Sequence, residues 1–380
     1  MSPTDVKAKA GLEDVVATSS SICFIDGDRG VLAYRGYDIH DLASNASFEE
    51  VCYLLWHGHL PSRSEVGELQ SQFAAARSLP EGILRLLRSL PAAEAMDVLR
   101  TLTSALAHFD PDAADNSPAA NYRKAVRVTA QMGSLVATIG RLTAGGGPIQ
   151  PDPAMGFAAS FLYLLTGQRP DALSIRAFDV ALVLHADHEL NASTFAARVA
   201  AATLTDVHSA IVAGIGTLKG PLHGGANADV MRMLLDLGAS ATPEKIESTI
   251  KSKLARKEKI PGFGHRVYHT MDPRAVHLRQ MSRDLGKRTG QPQWYEMSER
   301  IEAIVKAEKK LNPNVDFYSA STYHALGIPI ALFTPIFAVS RCSGWTAHVL
   351  EQFANNRLIR PRADYTGPPV PQAWVPLDQR

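Results

Sequence analysis

YRKAVRVTAQMGSLVATIGRL, from Tyr122 to Leu142, contains no proline and runs into Gly145, Gly146, Gly147 and Pro148. Its length and helical periodicity predict one long helix closed by a loop. The same pattern extends outward from it. Phe48 to His57 carries Val51, Leu54 and Leu55 at helical spacing, and Ile83 to Leu90 and Ala93 to Phe109 read as helices with Pro91 as the stop between them. Asp110 to Pro118 is a turn-rich break. Gly156 to Leu165, Phe178 to Leu184 and Thr194 to Leu204 continue the helical series. Convincing period-two strands are scarce, so the fold class expected is all-α.

From Gly220 onward, glycine-punctuated loops alternate with charged helices. Thr242-Pro243-Glu244 supplies an N-cap, a proline for the first helical position and an acid for the first turn. Asp272-Pro273-Arg274 repeats this grammar and places Arg274 in the first turn of a helix reaching about Lys287. Trp294 to Leu311 is amphipathic, its charged run Glu296 to Lys310 reading as a solvated face, and Pro335 to Phe353 returns to a mostly apolar helix. We expect a large helical domain from residues 1–222 and 326–380, with a smaller helical domain, 223–325, inserted between them. The proline-rich tail from Pro361 is expected to be extended, with Tyr365, Val370, Trp374 and Val375 docking it on an apolar surface.

At 380 residues, 46% hydrophobic and 20% charged, the chain has a globular rather than a disordered composition. A formal net charge of +1 provides no global field for nucleic acid or an acidic membrane, so an anionic substrate needs local clusters of Arg and Lys. Cys23, Cys52 and Cys342 are odd in number and far apart, a pattern that fits a reducing compartment. No apolar run is long enough to span a membrane. The stretch from Met1 mixes Lys7 and Lys9 with Asp5, Glu13 and Asp14, unlike a secretory or organelle signal, and the location expected is cytoplasmic.

Four stretches place polar groups among glycines or inside apolar helices: Leu184 to Asn191 (LHADHELN), Gly220 to Asn227 (GPLHGGAN), Pro261 to Tyr268 (PGFGHRVY) and Asn314 to Ser319 (NVDFYS). Each has an ordinary explanation, since a histidine beside a glycine turn often serves as a cap or a satisfied core residue. Phe333 to Arg341 (FTPIFAVSR) and Asn356 to Arg362 (NRLIRPR) add two arginine-bearing segments. In order and approximate spacing, the six together resemble the citrate synthase family, from about Asp26 to the C-terminus.

The resemblance implies condensation of acetyl-CoA with oxaloacetate through an enol, then hydrolysis of the thioester. It assigns Asp316 as the base, His223 as donor to the thioester carbonyl and His265 as proton donor to the ketone. The chemistry requires such a set. An acetyl methyl is a very weak acid, so its proton leaves only if the forming enolate is stabilised at the same moment. Val315, Phe317 and Tyr318 suit Asp316 to partial desolvation, and a local role as N-cap of the following helix is also open. His223 precedes a helix expected near Ala226, whose positive end favours a neutral imidazole. For His265 the alternative is a tight-turn residue between Gly264 and Arg266.

Oxaloacetate is a dianion and calls for forked donors. The resemblance assigns these to Arg274, Arg341 and Arg360, with His188 as a further ligand and Phe337 packing beside them. An unpaired guanidinium at Arg341, inside an apolar helix, is costly, and a structural salt bridge to Glu351 or Asp187 is the competing explanation. In the family the arginine matching Arg360 reaches into the neighbouring subunit's site, so a homodimer is implied.

The loop Lys257 to Arg266 contains no phosphate-binding fingerprint. The resemblance makes Lys257, Lys259, Ile260, Pro261, Gly262, Phe263, Gly264 and Arg266 the coenzyme A contacts, with the ester as substrate and no cofactor. His269 stands where family members often have Lys or Arg, so one phosphate contact departs from the pattern. His185, His188 and Glu189 lack a metal-site spacing, and no metal is expected. Without the N-terminal extension of the NADH-inhibited members, a simple dimer is expected. A rival within the family is 2-methylcitrate synthase, which uses propionyl-CoA. A rival outside catalysis is a silent helical scaffold or sensor.

Overall fold

The structure is a computed structural model and describes residues 9–12 and 15–380. Most of the N-terminal stretch from Met1 to Asp14, with Asp5, Lys7, Glu13 and Asp14, lies outside them. Three short antiparallel strands come first, Cys23–Asp26 (β1), Val31–Tyr34 (β2) and Tyr37–Asp38 (β3), with Cys23 opposite Tyr34 and Asp26 opposite Val31. The helical reading did not anticipate them. The strands are only four, four and two residues long, too short for an alternating pattern to stand out.

Sixteen α-helices follow among the described residues: Ile39–Asn45 (α1), Phe48–His57 (α2), Arg63–Ala76 (α3), Glu81–Ser89 (α4), Ala95–Leu106 (α5) and Pro118–Thr143 (α6). Then come Phe157–Thr166 (α7), Ala172–His185 (α8), Ala192–Ala201 (α9), Val207–Leu218 (α10) and Ala226–Leu237 (α11). Pro243–Ala255 (α12), Pro273–Arg288 (α13), Pro292–Lys309 (α14), Val315–Ala325 (α15) and Phe333–Ala354 (α16) complete them. Local chemistry explains the starts. Ser47 with Glu50 and Ser62 with Glu65 form capping boxes on α2 and α3. Ser117, Thr242 and Asp272 cap α6, α12 and α13, each followed by proline at the first position. Asn314, not Asp316, caps α15: its side chain accepts the Asp316 N–H at 3.0 Å. Asp316 therefore stands inside the first turn with its carboxylate uncommitted to capping.

α16 is the central helix, packed on α2, α6, α8, α9 and α10, and buries Trp345 and Cys342 completely. α11 packs on α15, α12 on α14, and α13 on both α14 and α15. α13 also meets α1 and α8. After α16 the chain is irregular to Pro376, and Tyr365, Val370 and Trp374 are exposed, Trp374 at 83%. Within this single chain the tail's apolar residues have not found the surface that their composition called for. No helix among the described residues is long and apolar enough to cross a membrane.

Candidate active site

The loop between α8 and α9 forms one wall. Tyr34, fully buried on β2, donates its hydroxyl to the Asp187 carbonyl at 2.9 Å, so the small sheet holds this loop from behind. His188 is buried, with Nε2 3.2 Å from the Tyr268 hydroxyl and its ring 5.3 Å from that of His265. Burial first, then Arg274 and His265, hold its pKa well below the ordinary value. His185 donates Nδ1–H to the Ala181 carbonyl at 2.8 Å, leaving a buried Nε2 without a partner among the described residues. Its ring lies 5.0 Å from Phe337.

His223 precedes α11. Its Nε2 is 2.8 Å from Ser193 Oγ and receives the Ser193 backbone N–H at 3.3 Å. A backbone N–H can only donate, so Nε2 presents its lone pair and the ring proton resides on Nδ1. Burial, with Arg341 second, lowers the pKa to about 4, so the ring is neutral. His265 shows the opposite tautomer. Its Nδ1 accepts the N–H groups of Val267 (3.0 Å) and Tyr268 (3.2 Å), which leaves the proton on Nε2. Burial, and next Arg274, bring it to about 4, against Asp272. Backbone donors thus set two neutral imidazoles, each with one N–H that has no hydrogen-bond partner among the described residues.

Asp316 enters from α15. Burial raises its pKa to about 6, with Arg274 and Arg341 pulling down and Asp272 pushing up. Arg274 is 2% exposed and forked onto Asp272, Nε to Oδ1 at 2.9 Å and Nη2 to Oδ2 at 2.8 Å. Asp272 Oδ2 also takes the Val315 N–H at 3.0 Å, tying the starts of α13 and α15 together. Arg341, 1% exposed, donates Nε–H to the His185 carbonyl at 2.8 Å and lies 4.8 Å over the Phe337 ring. The competing salt bridges are not made. Glu351 pairs with Arg198 at 2.6 Å, and Asp187 Oδ2 with His348 at 3.3 Å.

The turn Ile260 to Arg266 is laced to the chain before α15. Asn314 N donates to Gly262 O at 2.9 Å, Asn314 Nδ2 to Gly264 O at 2.9 Å, and Gly264 N to Asn312 O at 3.1 Å. Gly262 has φ 81°, and a Cβ there would meet Phe317 and Val230 at 2.8 Å, so only glycine fits. Phe263 packs against Phe317 with ring centres 4.5 Å apart and planes tilted by 57°, Ile260 is buried, and Pro261 is half-buried. Lys257, Lys259 and Arg266 are exposed. Arg360 lies in the exposed tail and forms no hydrogen bond or ion pair to the pocket among the described residues. No cluster of three or more His, Cys, Asp or Glu among the described residues is arranged to hold a metal ion.

This geometry brings His188, His223, His265, Arg274, Asp316, Phe337 and Arg341 into one connected neighbourhood. The family model "Citrate synthase, C-terminal domain" matches residues 11–362. The chain belongs to the citrate synthase family. "Citrate synthase 2" of Bacillus subtilis is 56% identical over 98% of this chain and 99% of its own length. A 2-methylcitrate synthase of Shewanella oneidensis is 42% identical, covering 98% of both. The crystal structure of citrate synthase from Pyrobaculum aerophilum superposes with a TM-score of 0.90 at 40% identity, over 98% of this chain and 95% of that one. A Thermoplasma acidophilum citrate synthase, solved as a ternary complex with carboxymethyl coenzyme A and oxaloacetate, gives 0.88 at 32% identity, over 98% and 99%. Against this family background, the sequence reading missed Ser193, Tyr268 and Asp272 as supports of the site. Ser193 lies two residues beyond the LHADHELN stretch, and Asp272 was read only as a cap.

Proposed function

We propose that this chain condenses acetyl-CoA with oxaloacetate and hydrolyses the resulting citryl-CoA to citrate and CoA. The observation that carries the reading is a desolvated carboxylate, Asp316, alongside two histidines locked neutral in complementary tautomers. Asp316 takes a proton from the acetyl methyl while His223 Nδ1–H stabilises the thioester oxygen as the enol forms. The enol carbon attacks the ketone of oxaloacetate, and His265 Nε2–H supplies the proton to the ketone oxygen. Water then cleaves the thioester. Arg274, Arg341 and His188 hold the oxaloacetate carboxylates beside Phe337. The turn Lys257 to Arg266 receives coenzyme A through Lys257, Lys259, Ile260, Pro261, Gly262, Phe263, Gly264 and Arg266. No cofactor is required, because the CoA ester is consumed as substrate.

The experiment is free-thiol release by purified protein with oxaloacetate and acetyl- or propionyl-CoA in turn. A methylene in an apolar pocket is worth only about 1–3 kcal/mol, so some propionyl turnover is compatible. Comparable rates with both esters would overturn the preference for citrate, and no thiol from either would favour the scaffold. Asp316→Asn should cost roughly 10²–10⁴ in turnover with oxaloacetate affinity almost unchanged.

Two finer proposals concern assembly and motion. The protein works as a homodimer, with Arg360 completing the partner's site. Arg360→Ala and Asp316→Asn homodimers should each be nearly inactive, whereas a purified mixed dimer has one intact site and should recover about half the activity per dimer. A mixed dimer as inactive as its parents would sink the shared site. Residues 223–325 form a domain that closes on oxaloacetate held between His188 and Arg341 on one side and His265 and Arg274 on the other. CoA-ester affinity should then rise when oxaloacetate saturates the site.

A further inference from the structure

Trp345 lies one turn beyond Arg341 on α16 and has no exposed surface. A buried indole N–H needs an acceptor, and here it is Ser193 Oγ at 3.1 Å. That oxygen is also 2.8 Å from His223 Nε2 and 2.8 Å from Asn191 Oδ1. Ser193 therefore has one hydroxyl proton and two acceptors competing for it. Turned toward Asn191, the hydroxyl shows His223 only lone pairs, so the Ser193 backbone N–H is left as the single donor holding Nε2 unprotonated against a facing oxygen that favours the Nε2–H tautomer. Turned toward His223, it joins the Ser193 backbone N–H in donating to Nε2, and the ring proton stays on Nδ1.

The indole N–H is a donor only. By filling one lone pair of Oγ it leaves less room for an incoming Nε2–H, and it polarises the O–H into a stronger donor. Gly214 on α10 gives the indole its room, since a Cβ there would stand 3.1 Å from its Cδ2 and Cε2. We propose that Trp345 is a positioning residue for the condensation: acting through Ser193, it holds His223 in the Nδ1–H form with two donors on the opposite nitrogen. Those two donors also stabilise negative charge on the ring as the Nδ1 proton is shared with the enolate oxygen. The proposal rests on the role given above to His223.

Trp345→Phe keeps an aromatic ring and removes the N–H. Turnover should fall roughly three- to tenfold, the kinetic equivalent of one neutral hydrogen bond, with oxaloacetate Kd unchanged. In a Ser193→Ala background the same substitution should cost nothing further, because the route to His223 is already cut. An equal loss in both backgrounds, a weakened oxaloacetate Kd matching the loss of turnover, or no loss at all would overturn the proposal in favour of packing alone. If Trp345→Phe does not fold, Gly214→Ala displaces the indole while retaining its N–H. It should lower turnover only when Ser193 is present, and unchanged or Ser193-independent turnover would overturn the idea. Full turnover in His223→Ala would instead bring down the role of His223 itself, a distinct result.

Discussion

At the start of α13, Arg274 meets Asp272 through two hydrogen bonds, and Asp272 is anchored in turn by the Val315 N–H. On α16, Arg341 is buried as deeply, yet it has one carbonyl for its Nε and no carboxylate within ion-pair distance among the described residues. Arg274 is pushed to a higher pKa, with Asp272 outweighing burial, whereas burial lowers Arg341. One guanidinium is thus already neutralised by the fold, and the other holds its charge open. A buried charge without a counter-charge is costly, so the α16 side of the pocket is built for an anion that arrives from outside, and the α13 side keeps its geometry when empty.

The largest expected effect tests the paired side. Arg274→Leu strands Asp272 in the interior and should cost about 3–5 kcal/mol in a urea melt, because the orphaned carboxylate is worse than no pair at all. A loss below 1 kcal/mol would show that Asp272 is relieved by its backbone donors alone. The open side should behave in reverse. Arg341→Leu should weaken oxaloacetate binding by about 10²–10³-fold in calorimetry while leaving thermal stability unchanged or higher. A protein that loses stability and keeps its affinity would erase the contrast.

A pH profile sharpens it further. Burial raises the Asp316 carboxyl to about 6, and His223 and His265 remain neutral down to about 4. The acid limb of kcat/KM should therefore bend near pH 6 and fall about tenfold per unit below it. A limb bending near pH 4 would point away from Asp316. The smallest effect lies outside the pocket. Asp179, 7% exposed on α8, accepts the Phe48 N–H at 3.0 Å, and burial, then Glu49, raise it to about 7. Its folded pKa exceeds its ordinary value of 3.8, so the folded state binds this proton more tightly. Stability is lost as pH rises from the ordinary value through about 7. Asp179→Asn should shrink the drop in Tm between pH 5 and pH 8.

Much of this was legible in the sequence where the signal is local. Thr242-Pro243 and Asp272-Pro273 marked two helix starts, because capping needs only neighbours. Ala93 to Phe109 proved to be α5 plus a short 3₁₀ turn, and Pro335 to Phe353 begins two residues earlier, at Phe333. The six motifs together named the family. What stayed hidden depends on contacts across the chain. Nothing near Tyr34 announces that its hydroxyl supports Asp187, 153 residues away. Nor does Ser193 announce that it faces both His223 and Trp345. Asp272 looked like a cap and is one, but its second oxygen spans 43 residues to Val315, which no spacing rule reports.

The exposed tail has a spectroscopic consequence. Of the four tryptophans, Trp294 and Trp345 are buried, Trp56 is half-buried with its N–H bonded to Thr346, and Trp374 alone stands in water. The guanidinium carbon of Arg380 lies 4.8 Å from its ring centre. An aqueous collisional quencher such as iodide should therefore dim a single red-shifted component of the indole emission in the free chain. If a second chain covers the tail, that component should shift to the blue and escape the quencher, so the protein's own fluorescence would report the association as it happens.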